Sequence, residues 1–395
     1  MTAPTMARPA PQGNGQAAPA PAAPWPFPAG VLRIENPDYD QTKVQTAAAQ
    51  QFPNYTLEPT GWLRGLWFQF DMTVTGQATN SVTYSKDNPF SVVQKFTFKD
   101  TGNREVFGPL GGYDWMTIDK FGGYHTIGDP RADQTFVATT GTGSTAGTFT
   151  FCLYMPLELV NRDSLGTTEN KSDNSAWKAE LFMDSQANTY NQVPSVMGSL
   201  RVRITEDGYT EPEMAAPSGR PFSSTPPLPG TLQYWVSENA ILPSGAAPYN
   251  LVNGISYPIR NLIFKAVDVA AGTRAGGDTA WPDPVTLTYG KVQLFQRYKT
   301  TWISKMSRAY GLSGAAGAAA TVDTAMQRES GVFPVWFNDD FDYSPGNELR
   351  NGYLNTKTGT VLKWKGTLGA SVTLFVAVNY VIPPGNDYYA LLSGR

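Results

Sequence analysis

The chain has 395 residues, with 30 lysines and arginines against 33 aspartates and glutamates, which gives a formal net charge of −3. This balance excludes nucleic-acid binding driven by bulk charge. Charged residues make up only 16% of the chain, against roughly 25% in ordinary soluble domains. The deficit predicts that much of the surface is buried against other chains, although a secreted β protein covered by serine, threonine and asparagine has a similar composition.

Cysteine and histidine usage limits the chemistry of the chain. Cys152 is the single cysteine, which excludes an intrachain disulfide, and His125 is the single histidine. Together they cannot form a zinc cluster of the usual kinds, and an oxygen-ligand calcium site in a loop stays open without support. His125 lies in a loop-like aromatic stretch without a nucleophile pattern, so a packed or solvated role is expected.

Composition also divides the chain. Residues 1–30 contain nine alanines and eight prolines with Arg8 as the only charge, which predicts a flexible arm without a secretory signal. Prolines concentrate again at 209–230 and predict a linker. Two blocks remain, a first sandwich with a lead-in segment at 31–208 and a second sandwich at 231–382, followed by a tail at 383–395.

Within the first block, apolar residues alternate from Leu66 to Val74 and predict a strand with one buried face. Residues 93–99 and 104–107 predict two strands joined by a turn. Residues 148–160 are apolar on both faces, so this strand is expected to be covered on both sides, with Cys152 as a small buried hydrophobe. Alternation predicts two more half-buried strands, at Trp177, Ala179, Leu181 and Met183 and at Leu200, Val202 and Ile204.

The second block repeats this pattern, with strands predicted at 232–236, 259–267, 285–294, 332–337, 360–365 and 372–382. The last of these is the most apolar run, but Thr373 and Asn379 interrupt it and prolines end it, so no membrane span is predicted and the protein is expected to be soluble or assembled. Residues 299–310 predict a short helix or turn with Trp302, Ile303 and Met306 on one side. Lys299, Lys305 and Arg308 on that segment are expected to be a solvated face rather than a phosphate site.

Several segments in a fixed order carry a resemblance to a known family. They are residues 88–100 (NPFSVVQKFTFKD), 111–115 (GGYDW), 149–157 (FTFCLYMPL), 177–182 (WKAELF), 331–337 (GVFPVWF), 352–354 (GYL) and 372–378 (VTLFVAV). In this order they resemble the double jelly-roll major capsid proteins of tailless, internal-membrane bacteriophages, with the tectivirus group as the closest match. The resemblance extends over about residues 60–382.

The resemblance implies an all-β chain of two tandem eight-stranded jelly rolls with a flexible N-terminal arm. It implies a structural virion protein whose homotrimers form pseudo-hexagonal capsomers, which tile an icosahedral shell around an internal membrane enclosing double-stranded DNA. The implied partners are further copies of the chain, vertex (penton) and minor capsid proteins, and the internal membrane on the N-terminal side. The family's N-terminal segment is often helical, whereas residues 1–30 here are rich in proline and alanine, so membrane contact by the arm stays open.

The resemblance also implies that the protein is not an enzyme. No catalytic, cofactor-binding or metal-binding residue is carried over from such a family, no cofactor is expected, and no sequence-specific nucleic-acid binding is implied. The shell protein would reside in the virion after assembly in the host cytoplasm.

Two rival classes remain from the residues themselves. A carbohydrate-active jelly-roll enzyme or lectin would use a carboxylate pair, and Asp339, Asp340 and Asp342 are the only acidic cluster near aromatic residues. Adjacent Asp339 and Asp340 would point to opposite faces of an extended segment, which favours a solvated loop. A phage receptor-binding adhesin is the third class, and oligomer size separates the three.

The two ends of the chain are expected to clamp neighbouring subunits. Residues 1–30 would act together with the tail, which carries Tyr388, Tyr389, Leu391 and Leu392 as apolar anchors. A frayed terminus is the alternative for the tail.

Overall fold

Strands form most of the secondary structure in the computed structural model, which describes residues 23–75, 80–85, 87, 89–172, 176–213, 219–313, 324–338 and 352–384. The first half contains β1 (Arg33–Val44), β2 (Gln50–Gln51), β3 (Tyr55–Thr56), β4 (Gly61–Thr73), β5 (Thr83–Tyr84), β6 (Val93–Lys99), β7 (Glu105–Leu110), α1 (Gly112–Phe121), β8 (Val137–Ala138), β9 (Phe149–Pro156), β10 (Thr168–Asn170), β11 (Lys178–Met183), α2 (Gln186–Thr189), β12 (Tyr190–Gln192) and β13 (Ser199–Tyr209). The second half contains β14 (Leu232–Leu242), β15 (Gly245–Leu251), β16 (Pro258–Asp268), α3 (Arg274–Ala280), β17 (Val285–Tyr289), β18 (Val292–Arg297), α4 (Lys299–Ala309), β19 (Val332–Trp336), β20 (Leu354–Asn355), β21 (Leu362–Leu368) and β22 (Val372–Ile382). Short 3-10 helices lie at Phe27–Ala29, Phe90–Val92 and Pro130–Ala132.

These strands build two sandwiches. In the first, a sheet with the order β1-β13-β4-β9-β8 faces a second sheet with the order β7-β6-β11-β2, to which β3 is added beside β11. In the second, the strands β19-β16-β22-β14 face a sheet with the order β15-β21-β17-β18. The strand pairs inside each sandwich are antiparallel, for example β4 with β13 and β22 with β14.

The eight main strands have the same connectivity in both sandwiches. They are β1, β2 with β3, β4, β6, β7, β9, β11 and β13 in the first, and β14 to β19, β21 and β22 in the second. Counted along the chain, strands one, eight, three and six form one sheet, and strands two, seven, four and five form the other. This order is a jelly roll, so the prediction of two tandem eight-stranded jelly rolls is confirmed. We call them roll 1 and roll 2.

Each roll has an aromatic core. In roll 1, Trp115 of α1 stacks on Phe96 with a centroid separation of 4.3 Å and meets Phe68 edge-on at 4.8 Å. In roll 2, Trp281 stacks on Phe333 at 4.1 Å and contacts Trp364 at 5.5 Å. Burial of such large rings contributes several kcal/mol each to the free energy of folding, which suits a chain without disulfides.

The alternating sequence patterns are confirmed where one face of a strand is buried. The predicted inward residues are buried in β4 from Leu66 to Met72, in β11 from Ala179 to Met183, in β13 from Leu200 to Ile204 and in β22 from Val372 to Val378. The helix predicted at 299–310 is α4, which buries Trp302 and Met306, whereas Ile303 is only half-buried.

Two expectations need correction. Residues 285–294 are not one strand, because Gly290 has φ 57° and turns the chain between β17 and β18. Cys152 is only partly buried in β9. Two elements were not assigned from the sequence: the helix α1, in the stretch that begins at residue 111, and the long strand β1, in the lead-in segment.

The end of the predicted arm is held against roll 1. Phe27 is buried against Trp62 at 5.5 Å and Tyr209 at 5.8 Å between ring centroids. The Trp25 amide donates to the Pro221 carbonyl at 2.9 Å. Residues 1–22 and most of the tail, residues 385–395, lie outside the described residues, so the flexible arm, the clamps and the domain boundaries stay predictions.

Candidate functional site at the junction of the two jelly rolls

A shared sheet joins the two rolls. β7 of roll 1 pairs in parallel with β14 of roll 2, at Phe107 and Trp235. Within the described residues, this contact makes one ten-stranded sheet that includes the short strands β3 and β20. The Ser237 hydroxyl reinforces the seam by donating to the Pro109 carbonyl at 2.9 Å. Backbone pairing therefore holds the rolls side by side.

Buried polar groups line this seam and are bonded to one another. Tyr124 accepts a hydrogen bond from Trp235 Nε1 at 2.7 Å and donates to Gln233 Oε1 at 2.8 Å. Asn379 Nδ2 donates to the same Gln233 oxygen at 3.1 Å. Arg260, only 1% exposed, donates to the Gly122 carbonyl at 2.8 Å and lies over the Tyr124 ring. Because buried polar groups are costly when unpaired, this network favours one relative placement of the rolls.

A charged cluster connects the rolls where the β7–β9 and β18–β19 connections meet. Glu329, just before β19, is fully buried. Its carboxylate accepts hydrogen bonds from Lys120 at 2.6 Å, from Tyr113 at 2.9 Å and from Arg131. Asp129 also binds Lys120 at 2.6 Å and Arg131 at 2.8 Å. One carboxylate of roll 2 is thus bound by three side chains of roll 1.

The charges in this cluster compensate one another. Burial alone would raise the pKa of Asp129, but its hydrogen bond to Arg131 and the charge of Lys120 outweigh burial and lower the pKa to about 2. Each cation and each carboxylate among these residues has an opposite partner within hydrogen-bond distance. The cluster therefore fixes the relative positions of the segments that carry these side chains.

A cavity of about 760 Å³ opens beside this cluster. Roll 1 contributes residues of β5, α1 and β8 to its wall, and roll 2 contributes residues of β16 and α3. Tyr113, which binds Glu329, also lines the cavity. The junction thus combines a buried charged cluster with a cavity large enough for an organic molecule.

The single histidine packs against aromatic rings, and the single cysteine is partly buried in β9. His125 packs against the rings of Trp67 and Tyr154, each with a centroid separation of 5.2 Å, and burial lowers its pKa. Burial also raises the pKa of the Cys152 thiol to about 11, so the thiolate is scarce at neutral pH. The packed interpretation of His125 fits these contacts.

The other sequence candidates give no metal or substrate site among the described residues. Lys299 pairs with Asp278 at 3.1 Å, which argues against a free phosphate-binding face. Asp339, Asp340 and Asp342 lie outside the described residues. Within the part of the chain that the structure describes, no group of three or more His, Cys, Asp or Glu side chains could hold a metal, and no helix is long and apolar enough to cross a membrane.

Sequence reasoning missed the charged cluster. Lys120 and Glu329 are 209 positions apart, and neither belongs to a local charge motif. The one local signal is in 129–131, where Asp129 precedes a proline and caps the short helix Pro130–Ala132 by accepting from the Arg131 amide.

No protein-family model and no curated protein matches the chain. The crystal structure of the STIV MCP superimposes with a TM-score of 0.59 at 12% identity, covering 92% of this chain and 100% of that chain. The quasi-atomic model of the PBCV-1 virus capsid gives 0.50 at 12% identity, with 89% and 94% covered. The Faustovirus major capsid protein gives 0.50 at 9% identity, with 89% and 90% covered.

The chain has the double jelly-roll fold. The coverage matters because each superposition includes both rolls, so the similarity is to a double jelly roll and not to a single sandwich. The family resemblance read from the ordered segments is thereby confirmed at the level of the fold. In this double jelly roll, the seam between β7 and β14 and the Lys120–Glu329 pair are among the contacts that join the two rolls.

Proposed function

We propose that the protein is a major capsid protein, a structural component of a virion without enzyme activity. The observation that carries the proposal is the double jelly roll itself, which superimposes over 92% of this chain and all of the STIV MCP. Function does not follow from a fold alone, so the remaining support is drawn from the surface and the junction of this chain.

The junction suits a building block. Three copies of a chain with two similar rolls place six rolls around one axis, and this gives a pseudo-hexagonal capsomer that can tile a shell. Such tiling requires that the two rolls of a chain keep a fixed relation, which the seam and the charged cluster supply. The proposed capsomer is therefore a homotrimer, and the proposed shell is icosahedral and surrounds an internal membrane.

The surface suits burial against neighbours. Only 16% of the residues are charged, and several large apolar side chains are strongly exposed in the single chain, including Leu32, Ile241 and Val252 at 69%, 71% and 71%. Obligate interfaces bury such side chains over several thousand Å². The proposed partners are further copies of this chain, vertex and minor capsid proteins, and the internal membrane, with the virion as the place of residence after assembly in the host cytoplasm.

Mass measurement tests the proposal. Multi-angle light scattering of the purified chain should give three times the chain mass of 42.9 kDa, with no dissociation on dilution. Electron microscopy of the source particles should reveal icosahedral shells faced with pseudo-hexagonal capsomers. A monomer at all concentrations contradicts the capsid role and favours a lectin, and a small closed oligomer without shells favours an adhesin.

A further inference from the structure

The cavity at the junction is a separate feature whose walls belong to both rolls. Its volume of about 760 Å³ lies in the range of small-molecule sites, roughly 300–1,000 Å³. The apolar part of the wall includes Tyr84, Phe90, Tyr113, Phe136, Ala138 and Val267. Five of these six side chains come from roll 1, and Val267 lines the wall from roll 2 together with Ala275.

Charged side chains in the wall already have partners. Arg131 binds Asp129 and Glu329, and Arg274 binds Asp87 at 2.6 Å. A charged ligand would lose its hydration and meet cations and carboxylates that compensate one another, so charge would disfavour its entry. Thr83, Thr140 and Thr324 also line the cavity, and a threonine hydroxyl can bond to one uncharged polar group.

We propose that this cavity binds an uncharged, mostly apolar molecule with a single hydroxyl or carbonyl group, such as a medium-chain alcohol. The apolar chain would lie against the aromatic wall, and the polar group would face the threonine hydroxyls. A molecule in this position contacts both rolls at once. It therefore stabilises their junction by binding the folded chain only. The proposal goes beyond the capsid role and does not depend on it.

A fluorescent probe tests the site in the full chain. The neutral dye N-phenyl-1-naphthylamine should bind saturably, with one site per chain, and 1-decanol should displace it. Decanoate, which has the same chain length and a negative charge, should displace the dye at least about tenfold less well, a difference of about 1.4 kcal/mol. 1-Decanol should also raise the midpoint of thermal unfolding.

Two alanines give a matched pair of variants. Ala138 lies exposed on β8 in the cavity wall, and Ala246 lies exposed on β15, outside the wall. Both belong to strands at the edge of their sheets. Ala138→Trp should weaken dye binding at least about tenfold and abolish the thermal shift, whereas Ala246→Trp should leave both unchanged.

Ala275→Leu fills the cavity from the roll 2 side and replaces Ala138→Trp if that variant fails to fold. Circular dichroism establishes folding for each variant. The proposal is overturned if the dye shows no saturable binding, if the filled and control variants bind it equally, or if decanoate displaces it as well as 1-decanol does.

Discussion

Lys120 of roll 1 and Glu329 of roll 2 form an ion pair of 2.6 Å whose side chains are 3% and 0% exposed. The pair lies where the connection after β7 meets the segment before β19, so it joins two parts of the chain that belong to different jelly rolls. Buried pairs of this kind contribute little net free energy compared with an apolar pair, but removing one partner leaves a charge in a poor environment. In this protein, the Lys120–Glu329 pair fixes the position of one roll relative to the other.

We expect Glu329→Gln to lower the free energy of unfolding by about 3 kcal/mol. The amide keeps the size of the side chain and can still accept from Tyr113, but Lys120 and Arg131 lose one of their two carboxylate partners. Urea denaturation monitored by tryptophan fluorescence measures the change.

Glu211→Gln is the control for this substitution. Glu211 pairs with Lys171 at 2.7 Å, but its side chain is 60% exposed, so its loss should change the free energy of unfolding by less than about 1 kcal/mol. Equal effects of the two substitutions would contradict a special role of the buried pair.

The junction also marks the limit of what the sequence predicts. Strands such as β4 and β22 are predictable because one face is buried and the other solvated, which imposes the period-2 pattern. β1 was missed because its exposed and half-buried residues include Pro37, Asp38, Asp40 and Lys43, so no apolar alternation appears. Lys120 and Glu329 carry no pattern at all, since tertiary folding alone brings them together.

A second prediction concerns pH. The Tyr55 hydroxyl lies 2.8 Å from a Glu206 oxygen and 2.9 Å from an Asp38 oxygen, so its single proton is shared between two carboxyl groups. Burial, with smaller contributions from Asp38 and Glu58, raises the pKa of Glu206 from 4.5 to about 7. Between pH 4.5 and about 7, the folded state therefore keeps a proton on Glu206 that the unfolded state has released. Stability from this group is complete below pH 4.5 and is lost as the pH rises through about 7.

Glu206→Gln should remove this part of the pH dependence, which amounts to at most about 3 kcal/mol. Unfolding free energies measured from pH 4.5 to pH 8 should decline less steeply for the variant than for the native chain. Glu213→Gln, at an exposed position, serves as the control and should retain the native slope. Parallel curves for native chain and Glu206→Gln would disprove the assignment.

A third prediction addresses the seam. Trp235→Phe and Tyr124→Phe each remove the 2.7 Å hydrogen bond between Trp235 Nε1 and the Tyr124 hydroxyl. A double-mutant cycle should therefore give a coupling of about 1 kcal/mol in the free energy of unfolding. Trp364→Phe replaces Trp235→Phe in a control cycle, because Trp364 contacts Trp281 and its Nε1 has no partner among the described residues. Additive effects at Trp235 and Tyr124 would exclude the proposed coupling.

The last prediction separates anchoring from assembly at the N-terminus. Arg220 lies over the Trp25 ring at 4.4 Å, and Phe27 is buried against Trp62 and Tyr209, so the chain is held to roll 1 from about residue 25 onward. Deleting residues 1–22 should leave the unfolding free energy and the trimer intact and impair shell assembly, if the arm clamps neighbouring subunits.

Deleting residues 1–30 should in addition cost about 3 kcal/mol of stability, as should Phe27→Ala in the full chain, because a buried ring is lost. Light scattering, urea denaturation and electron microscopy of assembly reactions distinguish these effects. Normal shells from the shorter deletion would refute the clamp, and an unchanged stability of Phe27→Ala would refute the anchor.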